Sequence, residues 1–236
     1  TLKRIFFPLN LDDVFLTQSN NEFPVDACRA RKYWLEKEYE PEYLELFRDA
    51  ENKVQFKFSN KKPITKFPIQ PPDNKEAPIC VYERPEKDVP PGTYIIGIDP
   101  VNEDRSSDKV VSLASIYVYK RLYNPMGAFQ NSIVASWTGR FNLLKEFHEL
   151  ALMISEWYNA VDGVLPENED KTLIQYFFFK KKGHFLADSI DLAKQINQTT
   201  RSIRVKGLSA STVNQRHYMK LMVEDAKEEV EFIEDD

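Results

Sequence analysis

The sequence predicts an α/β protein: a mixed β-sheet with helices on its faces. Three observations lead there. After Pro90-Pro91-Gly92, three strand-like segments follow one another at Thr93–Asp99, Val110–Tyr119 and Ser132–Thr138, the mark of an antiparallel meander. An amphipathic helix comes next. Beyond it, short strands at Gly163–Pro166 and His184–Leu186 alternate with helical stretches, as parallel crossovers require. The 236 residues are 42% hydrophobic, which suffices for one good core and excludes disorder, collagen and a disulfide scaffold.

The elements follow in order. Residues 1 to about 92 are irregular and punctuated by prolines from Pro24 to Pro91. Within them, Asp26–Asp49 is charged and helix-friendly, with Pro41 breaking it in two. Val54–Phe58 alternates with period two and reads as a strand; Ile79–Tyr82 is a second. Pro63–Glu76 is polar and proline-rich, a linker or wrapping arm. Thr93–Asp99 is a near-continuous apolar run, hence a buried strand. Asn142 is placed to cap the helix, and Leu143, Phe147, Leu150, Ala151, Ile154, Trp157 and Tyr158 fall on one face of it. Further helices are expected at Lys171–Lys181, Ser189–Asn197 and Thr212–Phe232, the last with Thr212 and Gln215 in capping-box spacing.

Bulk composition narrows the function. Net charge is −5, which lowers the expectation of nucleic acid as a partner. Cys28 and Cys80 have no metal-ligand spacing and read as reduced thiols. No run reaches the about 18 apolar residues of a membrane span, and no P-loop is present. The chain opens on Thr1 rather than Met and closes on Glu234-Asp235-Asp236, so a piece of a longer protein is expected.

Two acids end different strands, Asp99 and Glu167. Paired carboxylates at an open sheet edge are hard ligands suited to Mg²⁺ or Mn²⁺. The alternative is an Asp-Pro turn and a solvated loop acid. Gly97 precedes Asp99 by two and shares its strand face. With only 7 glycines in the chain, its placement is informative. It either lets a ligand approach or makes room for a bulky neighbour such as Trp157.

Several segments together resemble the nuclease domain of a viral terminase large subunit, most closely those of tailed phages. They are Tyr94–Pro100, Ser112–Arg121, Ile133–Arg140, and Tyr158-Asn159-Ala160 with Pro166-Glu167-Asn168. Pro8–Leu16, Asn21–Phe23 and Ala77–Pro85 also resemble that family, the first two matching the segment that joins its ATPase motor to the nuclease. The resemblance implies an RNase H-like fold over 93–236, incomplete at its C-terminus, with 1–92 joining it to an absent ATPase domain. It implies a metal-dependent endonuclease that cuts concatemeric double-stranded DNA during genome packaging in the host cytoplasm. Two Mg²⁺ or Mn²⁺ ions, the portal protein, the small terminase subunit and the ATPase domain are the implied cofactors and partners. Asp99 matches the metal ligand of the first strand and Glu167 the acid ending the fourth. Asp104 and Asp108 are candidates for an auxiliary acid, Asp104 with the better spacing. The family's third essential acid has no clear counterpart: Asp225 matches superficially, and the true residue is expected beyond Asp236.

The acids crowd into Glu36–Glu51 and Glu224–Asp236, leaving local basic clusters. Lys180, Lys181 and Lys182 follow a helix expected close to the Glu167 end of the sheet. They read either as DNA contacts or as a solvated helix end. Arg204, Lys206 and Asn214 flank a helix N-terminus that either holds a phosphate or is an ordinary capped start. Tyr176–Phe179 is expected in the core rather than as a base-stacking platform. His148, His184 and His217 form no nucleophilic set. Rival functions are another RNase H-like nuclease, such as a junction resolvase, and a non-catalytic docking module of a packaging motor.

Overall fold

The computed structural model describes residues 29–30, 32–33, 37, 39–65, 69, 75–101, 112–121, 131–167, 171–188, 206–208 and 219–224. Contacts divide the chain into two units, 41–210 and a second formed by 1–40 with 211–236. In the second unit, residues 219–224 are helical, with an exposed Lys220–Glu224 pair one turn apart.

The first unit is an α/β structure around one seven-stranded mixed sheet. Its strands are β1 (Glu42–Arg48), β2 (Val54–Phe58), β3 (Ile79–Val81), β4 (Tyr94–Asp99), β5 (Ala114–Lys120), β6 (Ser132–Gly139) and β7 (Val164–Pro166). Their order is β2-β1-β3-β6-β5-β4-β7. All neighbours are antiparallel except β4 and β7, which run parallel. Helix α1 (Leu144–Trp157) joins β6 to β7, and α2 (Thr172–Phe179) follows β7.

Alternation builds the core. Ile96 and Ile98 point to one face of β4 and are buried. Register places Ile98 beside Ile116 and Trp137, and Ile96 beside Val118 and Ala135. α1 lays Phe147, Leu150, Ala151 and Ile154 into the same core, with the Phe147 ring 5.7 Å from Trp137. Each buried Val, Ile, Leu or Phe among them stabilises the fold by about 1.5–3 kcal/mol. Lys120 ends β5 fully buried, its Nζ donating to Glu83 and Glu86. The Tyr158 hydroxyl donates to the Glu83 carbonyl at 2.8 Å, so the 83–86 segment is pinned both by β5 and by the end of α1.

Several expectations change. Residues 42–48, expected within a broken helical stretch, form β1. Leu44 is fully buried there, and pairing with β2 and β3 outweighs local helix propensity. Asn142 does not cap α1; the cap is Leu143, 56% exposed and off the apolar face, whose N–H donates to Glu146 at 3.3 Å. His184–Leu186 is a 3₁₀ turn at Gly183–Phe185, with Leu186 alone bridging Val164. Residues 42–81, expected as a joining segment, supply three strands to the sheet that holds 94–166. The helix expected at Ser189–Asn197 lies outside the described residues, as does most of Thr212–Phe232.

Candidate active site

The sheet changes from antiparallel to parallel pairing at β4, and both candidate acids stand at the carboxyl ends of the strands that meet there. Ile96 pairs with Val164, Gly97 with Leu165 and Ile98 with Pro166. One step on, the same register sets Asp99 beside Glu167. The Glu167 N–H donates to the Ile98 carbonyl at 2.8 Å, which holds that step. Side chains alternate along a strand, so Gly97, Asp99, Leu165 and Glu167 share the face opposite Ile96 and Ile98. Strands lie about 4.8 Å apart, close enough for two carboxylates to serve one ligand.

The row continues across the sheet. Asp99 pairs with Ser115, and Ser115 with Thr138. Neither hydroxyl stands out in the sequence; only the strand register reveals them. Leu208 bridges Glu167 on the far side, its N–H donating to the Pro166 carbonyl at 2.7 Å. Among the described residues the face above Gly97 is open: a Cβ there would meet none of their atoms within 4 Å. Gly97 therefore does not make room for Trp157, which packs instead on Phe56 and Tyr158.

Electrostatics mark Asp99. It is solvent-accessible, yet the surrounding protein strips enough water from its carboxyl to push its pKa above the usual carboxylate range. Among the described residues it has no hydrogen-bond or ionic partner to offset this. A cation would supply that partner, and two carboxylates are the donor type Mg²⁺ and Mn²⁺ prefer. Asp99 and Glu167 thus fit a divalent ion as ligands. Among the described residues no group of three or more ligating side chains assembles. Asp104, Asp108 and Asp225 lie outside the described residues.

The basic candidates are placed differently. α2 runs back along β7, so Lys180, Lys181 and Lys182 reach the start of β7, at the opposite end of the sheet from Glu167. There the Asp162 N–H donates to the His184 carbonyl at 3.0 Å. The expectation that they neighbour Glu167 is corrected by this reversal of direction. Lys180 approaches Glu149 at 3.4 Å and Lys182 meets Glu156 at 2.6 Å. Lys206 donates to the Leu186 carbonyl at 2.7 Å and pairs with Asp188 at 2.8 Å. Arg204 and Asn214 lie outside the described residues. The aromatic run is only half in the core: Phe177 is buried, while Phe178 and Phe179 are 55% and 81% exposed. Cys80 is a half-buried free thiol whose pKa burial pushes up; Cys28 lies outside the described residues. No helix among the described residues is long and apolar enough to cross a membrane.

No family model, curated protein or solved structure matches this chain.

Proposed function

We propose that this chain is a divalent-metal-dependent DNA endonuclese of the RNase H-like type, the nuclease part of a terminase large subunit that cuts DNA during viral genome packaging. The observation that carries the reading is the Asp99–Glu167 juxtaposition: two carboxylates at the ends of neighbouring parallel strands, on one face, beside the open space over Gly97. The topology supports it. An RNase H-like sheet is expected to run as a three-strand antiparallel meander, then a helix, then a strand parallel to the first; β4-β5-β6, α1 and β7 follow that course.

Asp99 and Glu167 would hold the metal. A bound Mg²⁺ or Mn²⁺ ion would supply an activated water and offset charge developing on a phosphodiester. The remaining work belongs to the chain. The open Gly97 face admits a backbone phosphate close to the acids. Ser115 and Thr138 continue the row as neutral hydroxyls beside which an anion can lie without repulsion. The rigid sheet holds these groups in place before substrate arrives, so little ordering is left for the reaction itself. Portal protein, small terminase subunit and an ATPase domain follow as partners from the sequence resemblance, with the host cytoplasm as the place of action.

The test is nicking of supercoiled plasmid in the presence of Mn²⁺. The wild-type chain should nick, and Asp99→Asn and Glu167→Gln should not, with circular dichroism unchanged. Undiminished nicking by Asp99→Asn would sink this reading.

A further inference from the structure

We propose that the knuckle closing α2, Phe178 to Gly183, docks single-stranded nucleic acid at a place separate from the acid pair. Phe178 and Phe179 stack on unpaired bases, and Lys181 meets the phosphate that joins them.

The aromatic geometry comes first. Phe178 and Phe179 stand 55% and 81% exposed, unusual for a residue type that is normally buried. Phe178 is also held in place. A Cβ on residue 183 would lie 2.6 and 2.7 Å from its Cε1 and Cδ1, closer than carbon atoms approach, so the ring packs directly on the Gly183 backbone. One part of the ring is seated and the rest is bare. A fixed, half-covered ring loses little freedom when a base stacks on it.

The backbone adds a second, independent observation. The Lys181 N–H donates to the Phe178 carbonyl at 2.9 Å and the Lys182 N–H to the Phe177 carbonyl at 2.8 Å. This is the helix-ending motif whose central residue is left-handed and is usually glycine. Here it is Lys181, with φ 58°. Lysine is strained there where glycine would not be, and strain retained in a fold points to a use for the side chain.

Charge identifies the partner. Glu149 and Glu156 occupy Lys180, Lys182 and Arg48, while Lys181 has no ionic partner among the described residues. Three cations meet two carboxylates and Lys181 adds a further positive charge beside them, a balance that complements a polyanion. A purely apolar protein partner would cover Phe179 and strand the Lys181 ammonium. A nucleotide answers both, with a base for the ring and a phosphate for the cation. Because the knuckle sits at the start of β7, away from Asp99, it does not depend on the nuclease reading.

Fluorescence anisotropy with a labelled oligo-dT of about 12 nucleotides tests the proposal. The wild-type chain should bind, less tightly as salt rises. Phe179→Ala should weaken binding about tenfold. Lys181→Gly should weaken it several-fold while raising Tm, a combination that a merely structural residue would not give. Binding is measured in EDTA, where the acid pair holds no metal and nicking does not occur, so the two readings fail separately. Equal affinity for wild type, Phe179→Ala and Lys181→Gly would overturn the proposal. So would binding to anionic lipid vesicles but not to the oligonucleotide.

Discussion

Asp99 and Glu167 stand side by side because the Glu167 N–H bonds the carbonyl of Ile98, the residue before Asp99, at 2.8 Å. A slip of one residue in that register would send Glu167 to the helix-covered face and separate the acids. The site is therefore a property of strand pairing, and its chemistry can be probed without disturbing the core.

Gly97→Ala separates access from stability. The added methyl meets nothing within 4 Å among the described residues, so unfolding free energy should stay within about 0.5 kcal/mol of wild type. Nicking should nonetheless fall by about tenfold, because the methyl stands where substrate must approach. Denaturant titration and the plasmid assay read the two effects on the same preparation.

Asp99→Asn should raise Tm at neutral pH in the absence of metal. Partial desolvation raises the Asp99 pKa, so the folded chain prefers this carboxyl neutral and gives up stability as pH rises through that raised value. The asparagine variant does not. Its advantage should therefore vanish below the ordinary aspartate value of 3.8, where the wild-type side chain is itself protonated. Thermal melts across pH check the direction, and a lower Tm for the variant at pH 7 would count against it.

Arg48 ties the β1–β2 hairpin to α1, with Nε at 2.6 Å from Glu149 and a second nitrogen at 2.7 Å from Glu156. Arg48→Ala leaves both half-buried carboxylates short of a partner and should cost about 2 kcal/mol. Burial alone would raise the Glu149 pKa, but the Tyr176 hydroxyl and Arg48 outweigh it and hold the value down. That contribution is present above the ordinary glutamate value of 4.5 and is lost as pH falls through the lowered one. The gap between variant and wild type should accordingly close in acid, as urea unfolding at several pH values will show.

Lys120 offers the opposite sign. Burial opposes its charge, yet hydrogen bonds to Glu83 and Glu86 raise its pKa above 10.5. Its stabilisation is complete below that ordinary value and is lost as pH rises through the raised one. Lys120→Ala should cost about 3 kcal/mol at pH 7, by removing a buried cation from two carboxylates, and less at strongly alkaline pH.

The sequence carries the parts of this fold that are written in apolar periodicity. Thr93–Asp99 announces itself as a strand by a near-continuous apolar run, and Val54–Phe58 by its alternation. Asp99 and Glu167 are legible because each ends such a run. What periodicity cannot carry is a partner distant in sequence. Glu42–Arg48 looks helical because its charges read as solvent-facing, whereas Glu42 meets Arg84 at 2.7 Å and Arg48 meets α1. Lys120 looks like a strand terminus and is buried because Glu83 and Glu86 await it. Ser115 and Thr138 join the acid row only through register, and Lys180–Lys182 sit away from Glu167 because α2 doubles back along β7.

The central claim is that Asp99 and Glu167 together bind a divalent ion, and calorimetric titration of Mn²⁺ into the chain tests it most directly. Wild-type protein should give a saturable heat that Asp99→Asn and Glu167→Gln each weaken at least about tenfold, the loss of one charged ligand. Identical Mn²⁺ binding by wild type and Asp99→Asn would contradict the account.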